Sequence, residues 1–521
     1  MSELSPTDLQ VRALPQAAKD AASAKDTRAI VDLRPNSSTP AALVLYGATG
    51  DLARRMLFPA LYHLWRENRL DPAMRLVAAA RSDTPVEAFR AHVAEGLATN
   101  ASESLRDMDD IARFADRVEY LPVDGADAAS VERLADALAL QPGQGCLHYF
   151  AVAPALYGAL AANLGRAGLA ATPSRVVLEK PIGHDLASSA AINDAVGAVF
   201  PEERTFRIDH YLGKETVQNL LALRFGNSLF EPLWSAANVA QVQITIAETV
   251  GLEARAGYYD RYGAMRDMVQ NHMLQLLALV AMEPPNDLDA SAVRNEKIKA
   301  LRSLRPIAAD IISRYAVAGQ YTAGMSGGTA VRGYADELGA QSNTETFVAV
   351  RADLDNWRWA GVPFYLRTGK RLPARYSEII IQFRAVPHSI FKRDGGVLAP
   401  NKLIIRLQPE ETIRLTLMAK EPGLEAAGAR LRELPLDLSL AEAFKGERRR
   451  IAYERLLLDA IAGNPTLFVR RDEVEAAWHW VDSIEAGWRA QGQPPKPYAA
   501  GSWGPASAIA LAERFGDSWH E

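Results

Sequence analysis

Four short, nearly continuous apolar runs recur through the first part of the chain, separated by stretches of helical texture: AALVLY at 41–46, RLVAAA at 75–80, CLHYFAV at 146–152 and RVVLEKP at 175–181. A strand that is apolar on both sides has to be covered on both sides, so this alternation predicts a parallel sheet with helices on its two faces. Beyond about residue 235 the texture changes. VAQVQITI at 239–246, ETFVAVRA at 345–352, SEIIIQF at 377–383, KLIIRLQ at 402–408 and TIRLTLM at 412–418 often alternate in polarity, which predicts an antiparallel sheet with one face in a core. A chain of 521 residues exceeds one ordinary domain. The change of texture is therefore read as a domain boundary within 205–225.

GATGDLARR, at 47–55, follows the first run and opens a helical stretch. In that setting a glycine turn can present backbone N–H groups and a helix N-terminus to a pyrophosphate, although any tight strand-to-helix turn can use glycines too. On the dinucleotide reading Gly47 makes the turn, Gly50 permits close backbone approach, and Ala53 is small enough for the helix to pack on the strand. Arg81 and Ser82 close the second run. A cation and a hydroxyl there suit the extra ribose phosphate of NADP, whereas an acid would hold the ribose hydroxyls of NAD. Asp83 is near enough to leave NAD use open, and an arginine at a strand end is commonplace.

Two other segments are chemically dense. EKPIGHD, at 179–185, either aims Lys180 into a cleft or simply ends a strand. RIDHYLGKE, at 207–215, gathers Asp209, His210, Tyr211 and Lys214 around a glycine turn at the expected domain junction, where ligand clefts are common. An acid, an imidazole and cations suit proton transfer beside a bound anion, and the same letters also suit a solvated turn. AGYYDRYGAMRDMVQNHMLQLLALV, at 256–280, reads as one helix starting near Asp260. Asp267 and His272 on it are five positions apart, about 140° around an ideal α-helix, so spacing alone does not bring them to one ligand.

GATGDLARR, EKPIGHD and RIDHYLGKE occur in the order and approximate spacing of the glucose-6-phosphate dehydrogenase family, which the chain resembles from about residue 40 to its C-terminus. The resemblance implies an α/β plus α+β fold: a flexible extension over 1–38, a Rossmann-type coenzyme domain over 39–215, and a substrate and oligomerisation domain over 216–521 whose large, mainly antiparallel sheet is packed by helices. It implies oxidation of glucose 6-phosphate at C1 to 6-phosphogluconolactone with hydride transfer to NADP, and some NAD use, as the first oxidative step of the pentose phosphate pathway. RDMVQNH matches the segment of the general base, which makes His272 and the orienting Asp209 the catalytic pair. The implied coenzyme contacts are Gly47, Ala48, Thr49, Gly50, Asp51, Leu52, Arg81 and Lys180. Lys180 would also touch substrate, with His210, Tyr211, Lys214 and Arg375 at the phosphate and Glu248, Asp267 and Lys370 at the ring. Pro181 is typically cis in the family, and Arg375 is a lysine in some members. The second, structural NADP site of animal members is expected to be absent, because Tyr376, Ile380 and Thr416 stand where that site usually has cations. A homodimer or homotetramer is implied.

Composition excludes other classes. A net charge of −5 gives no basic field for nucleic acid, and KGERRR at 445–450 is read as a solvated helix face. The single cysteine, Cys146, forbids an intrachain disulfide. Nine scattered histidines, with no H-E-x-x-H and no cysteine pair, predict no metal; without G-x-S-x-G, hydrolase chemistry is disfavoured. The apolar stretch near 273–282 is too short to cross a bilayer, and the first 38 residues lack a signal-peptide core, so a cytoplasmic enzyme is expected. An oxidoreductase of unphosphorylated sugars could share the EKP turn, but Lys214, Lys370 and Arg375 argue against it. A dinucleotide sensor without catalysis would not need both Asp209 and His272.

Overall fold

Strands apolar on both sides do assemble into a parallel sheet. The computed structural model describes residues 39–253, 256–391, 398–422 and 431–520, so the expectation for 1–38 lies outside the described residues. The first sheet contains β1 (Ala42–Tyr46), β2 (Arg75–Ala80), β3 (Val118–Pro122), β4 (Cys146–Phe150), β5 (Arg175–Leu178) and β6 (Thr205–Arg207) in the order β3-β2-β1-β4-β5-β6, every pair parallel. Every residue of β1, β4 and β5 is buried. The order reverses between β1 and β4, which opens a crevice at their carboxyl ends, the usual ligand position of such sheets.

The second sheet has nine strands. They are β7 (Val239–Ala247), β8 (Ala316–Thr322), β11 (Phe347–Asp353), β12 (Pro363–Gly369), β13 (Tyr376–Phe383), β14 (Lys402–Gln408), β15 (Thr412–Lys420), β16 (Leu431–Ser439) and β17 (Lys496–Ala499); β9 (Gly324–Ser326) and β10 (Thr329–Val331) form a separate hairpin. The order is β16-β15-β14-β13-β7-β12-β11-β8-β17, antiparallel except where β7 meets β12 and β8 meets β17. One apolar core runs from Val44 and Phe150 on the first sheet through Met273 and Leu277 to Ile244 and Ile379 on the second. RIDHYLGKE lies in the connection between β6 and β7. Among the described residues no helix is long and apolar enough to cross a membrane.

Two expectations are corrected. Residues 256–280 are not one regular helix: Ala256–Ala264 ends at Gly263, whose φ of 68° and ψ of 177° are non-helical, and a wide π-type segment, Met265–Met273, follows before the α-helix Leu274–Ala281. Among the described residues it also begins at Ala256, not near Asp260. KGERRR is not a solvated helix face. It is a loop in which Arg448 bonds both Glu67 and Glu454, and Arg450 bonds Glu67 at 2.5 Å. The helix that follows, Ala452–Ala462, turns Tyr453, Leu456 and Leu457 into the apolar cluster on the other face of the first sheet.

Candidate active site

Five separate pieces of chain meet where the two sheets adjoin. β5 ends at Leu178, and Tyr149 and Tyr157 bond the carboxylate and carbonyl of Glu179 at 2.5 and 2.9 Å, which fixes the turn just before Lys180. The Lys180–Pro181 bond is cis. After β6, Asp209 is 2% exposed, and one of its carboxylate oxygens accepts the backbone N–H of Tyr211 at 2.9 Å. The same oxygen accepts the Nδ1–H of His272 at 2.6 Å. His272 Nε2 then carries the lone pair and accepts from Lys180 Nζ at 3.0 Å. Lys180 also donates to the carbonyl and carboxylate of Asp267, at 3.0 and 3.2 Å.

Asp267 and His272 converge on one ammonium despite their spacing of five. A π-type turn closes i→i+5 hydrogen bonds, so residues five apart become neighbours across a single turn. The wide segment Met265–Met273 therefore does what an ideal α-helix could not. The ring of Tyr211 stacks on His272, centroids 4.5 Å apart, and His210 meets it edge-on at 4.4 Å.

Electrostatics define the resting state of these groups. Burial disfavours the imidazolium of His272 by more than Asp209 favours it, so its pKa is lowered. Burial alone would raise Asp209, but His272 and His210 beside it hold its carboxyl well below the usual range. Asp267 is also lowered, burial being outweighed by Lys180 and then His272. Burial, followed by the neighbouring His272 and Lys180, keeps His210 neutral. The site thus holds an ionised carboxylate and an imidazole able to accept a proton. Asp209, His210 and His272 place possible ligand atoms within 4.8 Å of one another, but both ring nitrogens of His272 are already engaged.

Lys214 lies on the far side of Tyr211, its ammonium 3.6 Å from that ring's centroid and without a hydrogen-bond partner. Burial pushes its pKa down to about 8, and the charge of Arg375 contributes in the same direction. Arg375 itself is exposed. The Tyr211 hydroxyl pairs with Ser377 Oγ at 3.1 Å, so it can donate outward only when Ser377 supplies the proton of that bond. At the other side of the cleft Lys370 Nζ donates to Glu248 at 2.8 Å, beyond the ends of β12 and β7, and lies over Tyr259.

The glycine turn is at the crevice of the first sheet. Gly47 has a φ of +80°, and a Cβ there would come within 2.3 Å of the Ala151 carbonyl after β4. Ala48 is buried, Leu52 is half-buried, and Thr49, Gly50 and Asp51 face solvent at the start of the helix. Arg81 is exposed just past β2. Ser82 Oγ is 3.0 Å from the Tyr120 hydroxyl, so the hydroxyl expected beside a ribose phosphate already has a partner. Glycine cradle, exposed helix start and strand reversal all fit a dinucleotide.

Tyr376, Ile380 and Thr416 are on β13 and β15: Tyr376 packs against Trp503, Ile380 is buried, and Thr416 Oγ1 accepts the N–H of Lys402 at 3.0 Å. Ser377 and Tyr259 support the site without any local signal in the letters, and Glu179 does so from within EKPIGHD, where the sequence reading assigns it no role.

Strand order and glycine turn together define a dinucleotide-binding α/β protein, with the buried imidazole of His272 in the cluster beside its crevice. Family models carry this further: residues 44–219 match the NAD binding domain of glucose-6-phosphate dehydrogenase, and residues 221–520 match its C-terminal domain. The chain belongs to the glucose-6-phosphate dehydrogenase family. It is 56% identical over 486 residues to glucose-6-phosphate 1-dehydrogenase of Zymomonas mobilis subsp. mobilis, covering 93% of this chain and all of that one. Identity to the Rhizobium meliloti enzyme of the same name is 51% over 479 residues, 92% of this chain and 97% of that one. A solved glucose-6-phosphate dehydrogenase in complex with its substrate glucose-6-phosphate superposes with a TM-score of 0.84 at 32% identity, over 93% of this chain and all of that chain.

Proposed function

We propose that this chain oxidises glucose 6-phosphate at C1 to 6-phosphogluconolactone, the first oxidative step of the pentose phosphate pathway, with NADP as the preferred dinucleotide and NAD as a poorer one. The observation that carries this reading is the Asp209–His272 pair with an unpartnered, buried ammonium, Lys214, one ring away. A base alone would suit many alcohols; a base beside an unpaired cation suits a sugar that ends in phosphate.

His272 Nε2 takes the proton of the C1 hydroxyl, displacing Lys180 from that nitrogen. Asp209 holds the Nδ1–H and stabilises the imidazolium that forms. When bound, the dinucleotide supplies the hydride acceptor. Lys180, released from His272, remains on Asp267 and would contact the sugar and, when it is bound, the coenzyme. Asp267, Glu248 and Lys370 hold the ring hydroxyls, and Lys214, His210, Tyr211 and Arg375 take the phosphate, whose binding aligns C1 from a distance. Gly47, Ala48, Thr49, Gly50, Asp51 and Leu52 form the pyrophosphate turn, and Arg81 holds the extra phosphate of NADP. No metal takes part.

Functionally we divide the chain into a coenzyme domain at 39–215 and a substrate and oligomerisation domain at 216–521. A homodimer or homotetramer in the cytoplasm is the proposed working form. Supporting the assembly, β16 is an edge strand on which Leu434, Leu436 and Leu438 are 45%, 62% and 49% exposed, opposite Leu417, Leu415 and Ile413 of β15.

Reduced-nicotinamide absorbance tests the reaction directly, with glucose 6-phosphate or glucose and with NADP or NAD. Glucose should be poorer by roughly 10⁴ or more in kcat/KM, because it leaves the site's cations unpaired. Comparable rates on the two sugars would reject the phosphate site. Arg81→Ala should weaken NADP by about 10-fold or more and NAD much less; equal losses would show that Arg81 does not read the phosphate.

A further inference from the structure

The segment that carries Asp267 and His272 is held at its start by a residue outside the site. Two residues before β11, Glu345 accepts the N–H of Met265 on its carboxylate at 2.9 Å, and its carbonyl accepts the N–H of Ala264, also at 2.9 Å. Both contacts fall where Gly263 breaks the preceding helix and the π-type segment begins. A Cβ on Gly263 would lie 2.3 Å from that carboxylate, so glycine is what lets the acid reach the helix start. Two residues after Met265 comes Asp267, and one wide turn further comes His272.

We propose that Glu345 is a positioning residue for the reaction: by holding the Met265 N–H it fixes where the π-type segment starts, and with it the direction in which Asp267 and His272 face the sugar. The inference rests on the reading of His272 as the base. A carboxylate at this position acts on the partial positive charge of a helix start as well as on one N–H, so its hold is firmer ionised than protonated. Burial pushes the Glu345 carboxyl up to about 7, with Glu485 adding to the rise and the Met265 N–H and Arg266 opposing it. Arg266 is itself paired with Glu485 from the helix Arg471–Gln491. The phenols of Tyr259 and Tyr334 also feel this charge, and Asp260, Arg261, Tyr262 and Arg489 line the same cavity. Solvent reaches the acid, because Glu345, Arg266 and Glu485 line an open cavity of about 830 Å³. The hold on the segment therefore loosens in part as pH falls through about 7, without being lost, since a protonated carboxyl keeps an oxygen able to accept.

The test is steady-state kinetics of wild type, Glu345→Gln and Glu345→Ala between pH 6 and 9. Glu345→Ala should lose about 10- to 100-fold in kcat, the cost of displacing reacting groups from afar, and should raise KM for glucose 6-phosphate while leaving KM for the dinucleotide within about twofold. Glu345→Gln keeps a neutral acceptor oxygen, as the protonated acid does, so its kcat at pH 8 should fall only to the level that wild type reaches below its step. It should also lack a shallow step in kcat near pH 7 that wild type shows. A kcat for Glu345→Ala within twofold of wild type, or equal damage to both substrates' KM values, would overturn the proposal. If the alanine variant does not fold, the glutamine profile decides: retention of the pH 7 step overturns it. The His272 reading fails separately, through the activity of His272→Asn, so the two outcomes are distinguishable.

Discussion

Neutral His272 and unpartnered Lys214 titrate with opposite consequences. In the proposed reaction His272 works only when neutral, and burial lowers its pKa, so apart from the shallow step near pH 7 assigned to Glu345, kcat should hold as pH falls to the ordinary imidazole value of about 6.5 and be lost only below it. In the same proposal Lys214 binds phosphate only when charged. Its pKa is pushed down to about 8, so KM for glucose 6-phosphate should climb as pH rises through that value. The substrate's phosphate, with a second pKa of about 6, is already fully ionised there and cannot be the cause. A flat KM between pH 7 and 9 would place the phosphate elsewhere. His272→Asn should fold and bind sugar but lose roughly 10²–10⁴ in turnover; near wild-type turnover would make His272 structural. The family resemblance of RIDHYLGKE and RDMVQNH singled these residues out in the sequence, and the structure brings Asp209 and His272 together at 2.6 Å. Ser377 was not legible there, being one hydroxyl at the start of an apolar strand run, and neither was Glu345, whose role depends on a glycine 82 positions earlier in the chain.

The glycine turn after β1 makes a demand that no side chain meets. At Gly47 a Cβ would strike backbone, the Ala151 carbonyl, and the φ of +80° disfavours any other residue. Gly47→Ala should cost about 1–3 kcal/mol for the backbone conformation alone, visible as a lowered Tm. Dinucleotide affinity should fall with it, since the turn must shift away from its ligand; a variant with unchanged melting and unchanged titration would contradict both points. Strands such as β2, β13 and β14 matched their sequence runs to within a residue because a doubly covered or alternating pattern specifies both type and length. The π-type segment was not legible. Its letters suit i→i+4 and i→i+5 bonding equally, and what selects the wider turn is the tertiary hold at Met265 together with the convergence on Lys180.

Assembly of the molecule is written less plainly in the sequence. Local periodicity marks the helix Ala452–Ala462 as amphipathic but not its destination, the face of the first sheet, where it buries the pair His63–Glu454 at 3.0 Å. The leucine row on β16 likewise marks a face without its partner. Leu436→Glu, placing a charge in the middle of that row, should dissociate the proposed oligomer in sedimentation velocity while leaving the monomer folded. An unchanged sedimentation coefficient would move the interface elsewhere.

That return of the chain has a consequence during synthesis. A ribosome releases the six strands of the first sheet long before the segment that completes the cover of one of its faces, since Tyr453, Leu456 and Phe468 belong to that cluster. For the time it takes to translate some 250 further residues, the nascent coenzyme half has that face only partly covered, by its own Phe58, Leu61 and Phe89, and the edge strand β6 awaits its bridge between Arg207 and Val469. Messages truncated before this point should therefore yield chains that recruit chaperones or are degraded, even though every glycine, lysine and aspartate of the coenzyme half has already been made.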